Sequence, residues 1–303
     1  MKIGLALGSG SSRGWSHIGI IRALKRMGIV PDIVCGTSIG ALVGASYVSN
    51  KLEQLENWIN TLTKLEIAKF YNLNPSNNGL VNIERLKKHI YQYVTEEDSL
   101  IENTKTRFAT VSTDLETGRE IWHQDGPIID AVLSSIALPG IFAPNLNRKK
   151  WLVDGGLVNP VPTSVCRALG AEVVIAVNLN NDIVGKHFKS VATQPNKKNY
   201  DKTKFGNLIN NYKTTLFLDS DKLDKPPSYF ETIAGAINIF QDRITKSRMV
   251  GDPPDVLLSP KLSQISLLDF HKASEAISEG EACVKRAVSE LQYYINEKLQ
   301  DHP

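Results

Sequence analysis

The first 48 residues alternate twice between a short apolar run, a turn and a helix-like segment, and this alternation restricts the possible folds more than any other feature. Residues 2–7 form an apolar run, and the Gly-rich stretch GSGSSRG follows it at 8–14. Residues 32–36 (DIVCG) form a second run, which leads through Ser38 into the small-residue segment 39–48. Apolar runs that alternate with segments of helical periodicity are typical of a parallel α/β sheet.

The rest of the chain continues this mixture of strands and helices. We expect helices at 51–70, 82–94, 127–138, 163–170 and 229–249, and one or two more over 267–299. We expect a hairpin at 107–124 and strands at 151–156, 172–179 and 255–260. No internal repeat interrupts the pattern, so we predict a single domain spanning residues 1–303.

Composition excludes several classes of protein. The chain has 303 residues, 42% hydrophobic and 22% charged, with a net charge of +3 that is too small to indicate nucleic-acid binding. Cys35, Cys166 and Cys283 are far apart, which indicates neither a zinc site nor a disulfide framework and fits a reducing compartment. No metal or organic cofactor is expected. No apolar run approaches the ~18 residues of a membrane span, so we expect a cytoplasmic protein with peripheral membrane contact at most.

Residues 182–228 differ from the rest of the chain. They contain nine lysines, five aspartates, no arginine and no glutamate, so their net charge is +4. We interpret this segment as an insertion or lid within the domain. Its lysines could meet anionic lipid headgroups, although a solvated surface loop is an equally valid interpretation.

The pentapeptide GTSIG is a Gly-x-Ser-x-Gly motif centred on Ser38. The short motif alone is weak evidence, but here an expected strand precedes it and an expected helix follows it, as a nucleophilic serine on a sharp turn requires. Gly36 and Gly40 would relieve crowding at the turn, and the dipole of the following helix favours negative charge near Ser38. The alternative is a tight strand–helix turn with a capping serine.

A nucleophilic serine needs a base, which is usually a histidine, and no histidine of this sequence is a good candidate for that role. A Ser–Asp–His order would suit a catalytic triad. Only His187 and His271 come late enough in the expected fold, and neither lies on an evident strand-end loop.

Asp154 is a better candidate for the base. It ends the apolar run WLV and precedes Gly155 and Gly156, which leave its carboxylate unobstructed. Because the carboxyl ends of parallel strands line one crevice, Ser38 and Asp154 could meet there. An ordinary Asp-Gly turn is the alternative.

The Gly-rich stretch at 8–14 predicts an anion cradle. A dinucleotide fingerprint would need glycine where Arg13 stands and an acid at the end of the second strand, whereas Asp32 lies at that strand's beginning. There is no Gly-Lys-Ser/Thr either, which excludes a P-loop. The remaining interpretation is a set of backbone N–H groups beside a helix N-terminus, which could stabilise an oxyanion. Arg13 could tie this loop down or neutralise a phosphate.

The ordered set GSGSSRG, GTSIG and DGG resembles the patatin-like phospholipase family, and in particular its bacterial branch related to neuropathy target esterase. TDLETGR, SSIALPGIFAP and DGGLVNPVP are also similar to segments of that family. The resemblance covers roughly residues 1–180 and extends to DVLLSP and LLDFHKASEAISEG. One departure is SGS at 9–11, where many members have three glycines; backbone donors survive it, but the serine side chains could narrow the site.

The resemblance implies a three-layer α/β/α domain with a mostly parallel central sheet, and a Ser–Asp dyad that acts on lipid acyl esters. It implies Ser38 as nucleophile and Asp154 as base. The oxyanion hole would be formed by Gly10, Ser11, Ser12 and Ile39, the residue after the nucleophile. The supporting motif residues are Gly8, Arg13, Gly14, Gly36, Gly40, Gly155 and Gly156.

We therefore expect a serine lipid-acyl hydrolase of the phospholipase, lysophospholipase or carboxylesterase type, with a lipid or lysolipid ester as its substrate. Two alternatives remain open. An acyltransferase would form the same acyl-enzyme, and a regulatory or adaptor protein would keep the fold with little catalysis. Trp58 and Trp151 are expected in the core or in a pocket wall.

Overall fold

The computed structural model describes residues 1–71, 79–183 and 229–300. The predicted lysine-rich insertion at 182–228 therefore lies outside the described residues, apart from its first two positions. Within the described residues, no helix is long and apolar enough to cross a membrane.

Strands and helices alternate along most of the described chain. The strands are β1 (Ile3–Leu7), β2 (Ile33–Thr37), β3 (Arg107–Asp114), β4 (Glu120–His123), β5 (Asn145–Asn147), β6 (Lys150–Asp154), β7 (Val173–Val177) and β8 (Val256–Leu258). The helices are α1 (Ser16–Arg26), α2 (Ile39–Val48), α3 (Leu52–Asn60), α4 (Lys64–Ala68), α5 (Ile83–Tyr93), α6 (Ile128–Ser135), α7 (Thr163–Ala168), α8 (Tyr229–Gly251), α9 (Ala273–Arg286) and α10 (Val288–Gln300).

The strands form one mixed sheet with a parallel centre. Its order is β5-β6-β3-β2-β1-β7-β8, and β4 pairs with the remaining edge of β3. Strands β3, β2, β1, β7 and β8 run parallel to one another, whereas β4 and β6 pair antiparallel with β3, and β5 pairs antiparallel with β6. The parallel strands are buried on both faces, as expected of a sheet covered by helices on each side.

Helices cover the two faces of the sheet unequally. The larger core packs α1, α2, α3, α5, α6 and α9 against side chains such as Leu5, Leu7 and Val34. On the opposite face, Val165 and Cys166 of α7 pack against Ala6, Cys35 and Val174, and Met249 of α8 adjoins them. The predicted three-layer α/β/α architecture with a mostly parallel sheet is confirmed.

Most predicted elements are present, and two differences have clear local causes. The expected helix over 51–70 is divided because the Thr63 side chain accepts a hydrogen bond from the Glu66 amide and begins a new helix. Strand β5 was not predicted, because its three residues, two of them asparagines, carry little strand signal.

The prediction for the two tryptophans was correct for Trp58 only. Trp58 is partly buried against the larger core and stacks on Tyr93 with ring centroids 5.1 Å apart. Trp151 is instead exposed near the start of β6, close to the sheet edge, and its side chain lies on the face of the strand opposite to that of Asp154.

Candidate active site

Strands β2 and β6 meet head to head along one edge of β3. Thr37, the last residue of β2, pairs with Val111, and Asp154, the last residue of β6, pairs with the next residue, Ser112. The other edge of β3 is occupied by β4, which pairs with both 110–111 and 112–113. The expectation that Asp154 ends a parallel strand is therefore wrong: β6 runs antiparallel, and its carboxyl end returns toward that of β2.

Ser38 occupies a strained turn between β2 and α2. Its backbone has φ 57° and ψ −123°, a conformation that residues with a Cβ rarely adopt and that is common at functional turns. The two motif glycines permit this turn. A Cβ on Gly40 would lie 2.1 Å from the Leu7 carbonyl oxygen, and one on Gly36 would lie 2.4 Å from the Gly40 oxygen.

The Ser38 hydroxyl donates a hydrogen bond to the Asp154 carboxylate, with 2.5 Å between Oγ and Oδ2. The other carboxylate oxygen accepts the Gly156 amide at 2.7 Å, and the Thr113 hydroxyl donates to the Asp154 carbonyl at 2.9 Å. The hydrogen bonds from Ser38 and Gly156 thus fix the orientation of the Asp154 carboxylate. A Cβ on Gly155 would lie 2.2 Å from the Val111 oxygen, so this glycine keeps the chain after Asp154 against β3.

Burial controls the charge of Asp154. The side chain is fully buried, and this desolvation raises the pKa of its carboxyl from 3.8 to about 6, against the opposing effect of the hydrogen bonds from Ser38 and Gly156. At neutral pH the carboxylate is still ionised. It is also a stronger base than an exposed aspartate, which suits proton abstraction.

Ser135 holds the turn from the other side and was not identified from the sequence. Its hydroxyl donates to the Val111 carbonyl at 2.6 Å and accepts the Ser38 amide at 2.8 Å. The Ser38 backbone is therefore tied to β3 and to the end of α6. The one available signal was a pair of serines, 134–135, at the end of a mostly apolar helix.

The Gly-rich loop lies against the beginning of α2. A Cβ on Gly14 would approach Ile39 Cγ2 to 2.2 Å, so the end of the Gly-rich loop is in direct contact with the residue that follows Ser38. The amides of Gly8 and Ser9 are already used, donating to the carbonyls of Val177 and Pro160.

The four predicted oxyanion donors are not equivalent. Within the described residues, the amides of Gly10, Ser11 and Ile39 have no protein acceptor, which leaves them available to a ligand. The Ser12 amide donates to the Leu267 carbonyl at 3.3 Å, and its hydroxyl donates to the Ser266 carbonyl at 2.7 Å. Ser12 is therefore already bound to the segment before α9.

Arg13 ties the loop to α8. It is fully buried; its Nε donates to the Gly10 carbonyl at 3.0 Å and its Nη2 to Asn238 Oδ1 at 2.9 Å. Burial lowers the pKa of its guanidinium to about 9. Of the two roles considered from the sequence, the contacts of Arg13 fit the tie between loop and helix.

A sequence profile of patatin-like phospholipases matches residues 5–167, more than half of the chain, from within β1 to within α7. The chain belongs to the patatin-like phospholipase family. A Mycobacterium bovis protein described as an uncharacterized NTE family protein is 26% identical over 330 residues, covering 95% of this chain and 91% of that protein. Membership of this family indicates, in general terms, lipid hydrolase activity and a lipid substrate.

Larger proteins share the domain. The Caenorhabditis elegans patatin-like phospholipase domain-containing protein ZK370.4 is 34% identical over 186 residues. The human patatin-like phospholipase domain-containing protein 6 is 30% identical over 186 residues. Each match covers 59% of this chain, but only 14% and 13% of the two larger proteins. These similarities therefore concern one domain within much longer chains.

Proposed function

We propose that this protein is a serine lipid-acyl hydrolase in which Ser38 and Asp154 form a catalytic dyad. The observation that carries the proposal is the 2.5 Å hydrogen bond from Ser38 Oγ to Asp154 Oδ2, made by a serine on a strained turn and a fully buried carboxylate. The substrate class is a carboxylic ester of a lipid or lysolipid, as family membership suggests.

In the proposed reaction, Asp154 takes the proton of the Ser38 hydroxyl as Oγ attacks the ester carbonyl. The amides of Gly10, Ser11 and Ile39 are the proposed donors to the oxyanion, each worth roughly 10² in rate. Protonated Asp154 then gives its proton to the departing alcohol, and the ionised carboxylate next activates a water that releases the fatty acid. No histidine takes part in this scheme.

The proposal is tested by incubating the protein with phospholipids, lysophospholipids and soluble short-chain esters and measuring the acid released. A fluorophosphonate probe should label Ser38, and peptide mass spectrometry locates the label. Absence of both labelling and hydrolysis would favour a regulatory or adaptor protein. If the acyl group were instead recovered on an added lysolipid, the same acyl-enzyme would belong to an acyltransferase.

The pH dependence of catalysis should follow the ionisation of Asp154. Only the ionised carboxylate can accept the Ser38 proton, so kcat/KM for a soluble ester should rise with pH through about 6 and level off above pH 7. The buried histidines His17 and His123 cannot produce this rise, because burial lowers the pKa of each to about 4. Steady-state rates between pH 4.5 and 8 measure the midpoint; a flat profile would contradict the assignment.

Ser135 is proposed as a positioning residue for the dyad. Ser135→Ala leaves the Ser38 amide without its acceptor, a loss of about 1–2 kcal/mol, so kcat should fall roughly tenfold while KM changes less than twofold. Ser134→Ala is the matched control, because that neighbouring hydroxyl donates to the Asp130 carbonyl and accepts from Asn145. Equal kinetics for the two variants would remove Ser135 from this role.

A further inference from the structure

Three exposed apolar side chains form a continuous row across β5, β6 and the residue that follows β3. Leu146 pairs directly with Trp151, and the Leu115 amide donates to the Trp151 carbonyl at 2.9 Å. Directly opposed residues on neighbouring strands lie on the same face of a sheet. The three side chains are 54% (Leu115), 57% (Leu146) and 55% (Trp151) exposed. We call Leu115, Leu146 and Trp151 the apolar row.

Cations border the apolar row at the turn between β5 and β6. Arg148 and Lys149 form this turn with φ values of 46° and 65°, and Lys150 begins β6. Arg148 pairs with Asp125 at 2.6 Å, and Lys150 pairs with Asp114 at 3.1 Å. Among the described residues Lys149 has no ion-pair partner, so its charge is uncompensated at the tip of the hairpin.

The same hairpin is joined to the candidate active site through both of its strands. Trp151 precedes Asp154 by three strand residues, about 10 Å along β6. At the other strand, Asn145 lines a cavity of about 340 Å³ that Leu133 and Ala137 also line. The Ala137 carbonyl accepts a hydrogen bond from the Asp154 amide at 3.0 Å, so a residue of the cavity wall is in direct backbone contact with a residue of the dyad.

We propose that the apolar row and Lys149 dock this protein onto the surface of a lipid bilayer that carries anionic headgroups. Tryptophan and leucine beside a lysine that has no ion-pair partner in the described part of the chain suit the boundary between headgroups and acyl chains. The proposal rests on the proposed lipid-hydrolase function, since the docked hairpin carries Asp154 at the end of β6 and would hold the dyad near the source of the substrate.

A second copy of the chain fits this surface less well than a bilayer. Three half-exposed side chains present on the order of 300 Å², far below the ~800 Å² per partner of a standard stable interface. Strand β5 lies at the end of the sheet order, has three residues and is followed by three consecutive cations, features that oppose edge-to-edge strand pairing.

The test measures binding of the Ser38→Ala protein to vesicles made of three parts phosphatidylcholine and one part phosphatidylglycerol, by flotation. This parent protein lacks the proposed nucleophile, and flotation measures binding alone, so the result does not depend on whether the proposed hydrolysis is correct. Adding Leu146→Glu or Trp151→Glu should weaken binding at least tenfold. Adding Lys149→Glu should weaken binding to these vesicles but leave binding to pure phosphatidylcholine unchanged.

The matched control is Leu65→Glu on α4, which places the same charge at a leucine that is 71% exposed elsewhere. It should bind vesicles as the parent does, and thermal unfolding confirms that all variants are folded. Undiminished vesicle binding by Leu146→Glu and Trp151→Glu would overturn the proposal. It would also be overturned if these variants dissociated a dimer in solution without losing vesicle binding. Hydrolysis of the same vesicles by the protein with Ser38 intact is scored separately and tests the proposed function alone.

Discussion

Replacing Ser38 by alanine should lower ester hydrolysis by at least ~10⁴-fold, the scale of loss seen when a covalent nucleophile is removed. Ser38 Oγ is the proposed attacking atom, because it donates the 2.5 Å hydrogen bond to Asp154 Oδ2 and is held in this position by the strained turn. Rates on a soluble ester, together with fluorophosphonate labelling, measure the effect. The variant should retain its fold, because the substitution removes one oxygen atom.

Ser49→Ala is the matched control for this experiment. Ser49 follows the other end of α2, where its hydroxyl donates to Thr95 Oγ1 at 3.1 Å, so its loss should leave hydrolysis within twofold of the unmodified protein. Hydrolysis that persisted in Ser38→Ala with the pH profile of the unmodified protein would mean that another group is the nucleophile.

Asp154→Asn should have two opposite effects, a loss of activity and a gain in stability. The amide cannot accept the Ser38 proton, so hydrolysis should fall by ~10³-fold or more. The amide is otherwise similar in shape to the carboxyl, keeps an oxygen for the Gly156 amide and has a donor to offer Ser38. The loss should therefore appear in kcat more than in KM.

The gain in stability follows from the raised pKa of Asp154. The folded protein binds this proton more tightly than the unfolded chain, so the group stabilises the fold below pH ~3.8, and that contribution disappears as pH rises through about 6. Above that pH the buried charge costs on the order of 3 kcal/mol. Asp154→Asn removes this buried charge, so it should raise the unfolding temperature by several degrees at pH 7.5 relative to the unmodified protein.

Thermal unfolding at several pH values measures this second effect. The difference between Asp154→Asn and the unmodified protein should be large at pH 7.5 and shrink toward zero near pH 4. A variant that is less stable at pH 7.5 would show that Asp154 is stabilised as an anion, which contradicts a raised pKa. A gain of stability on loss of a reactive group is common where a site is strained or desolvated for its chemistry.

Local sequence patterns predicted the parts of the fold that local interactions determine. The turn at Ser38 follows from the glycines on either side of it, and Asn82 caps α5 because its side chain accepts the Arg85 amide. The pairing of Ser38 with Asp154 was also anticipated, although the strand direction given as its reason was incorrect. That direction depends on a three-residue strand and a turn at 148–149, whose signals are too short to identify.

Contacts between residues far apart in the chain could not be predicted from local sequence patterns. The hydroxyl of Ser135 reaches Ser38 because α6 packs beside β3, and nothing near residue 135 indicates that neighbour. The use of the Ser12 amide by Leu267 likewise depends on a segment more than 250 positions away. Trp151 was assigned to the interior by its size, whereas its position near a sheet edge leaves it exposed.

The head-to-head arrangement of β2 and β6 determines where the sequence can accept insertions and deletions. Ser38 and Asp154 are 116 positions apart in the chain, yet their spacing is set by two consecutive residues of β3, Val111 and Ser112. Loops elsewhere in the intervening chain can therefore gain or lose residues without altering the distance between the two groups. An insertion of a single residue between Val111 and Ser112 would separate them, so β3 should tolerate no insertion at this point.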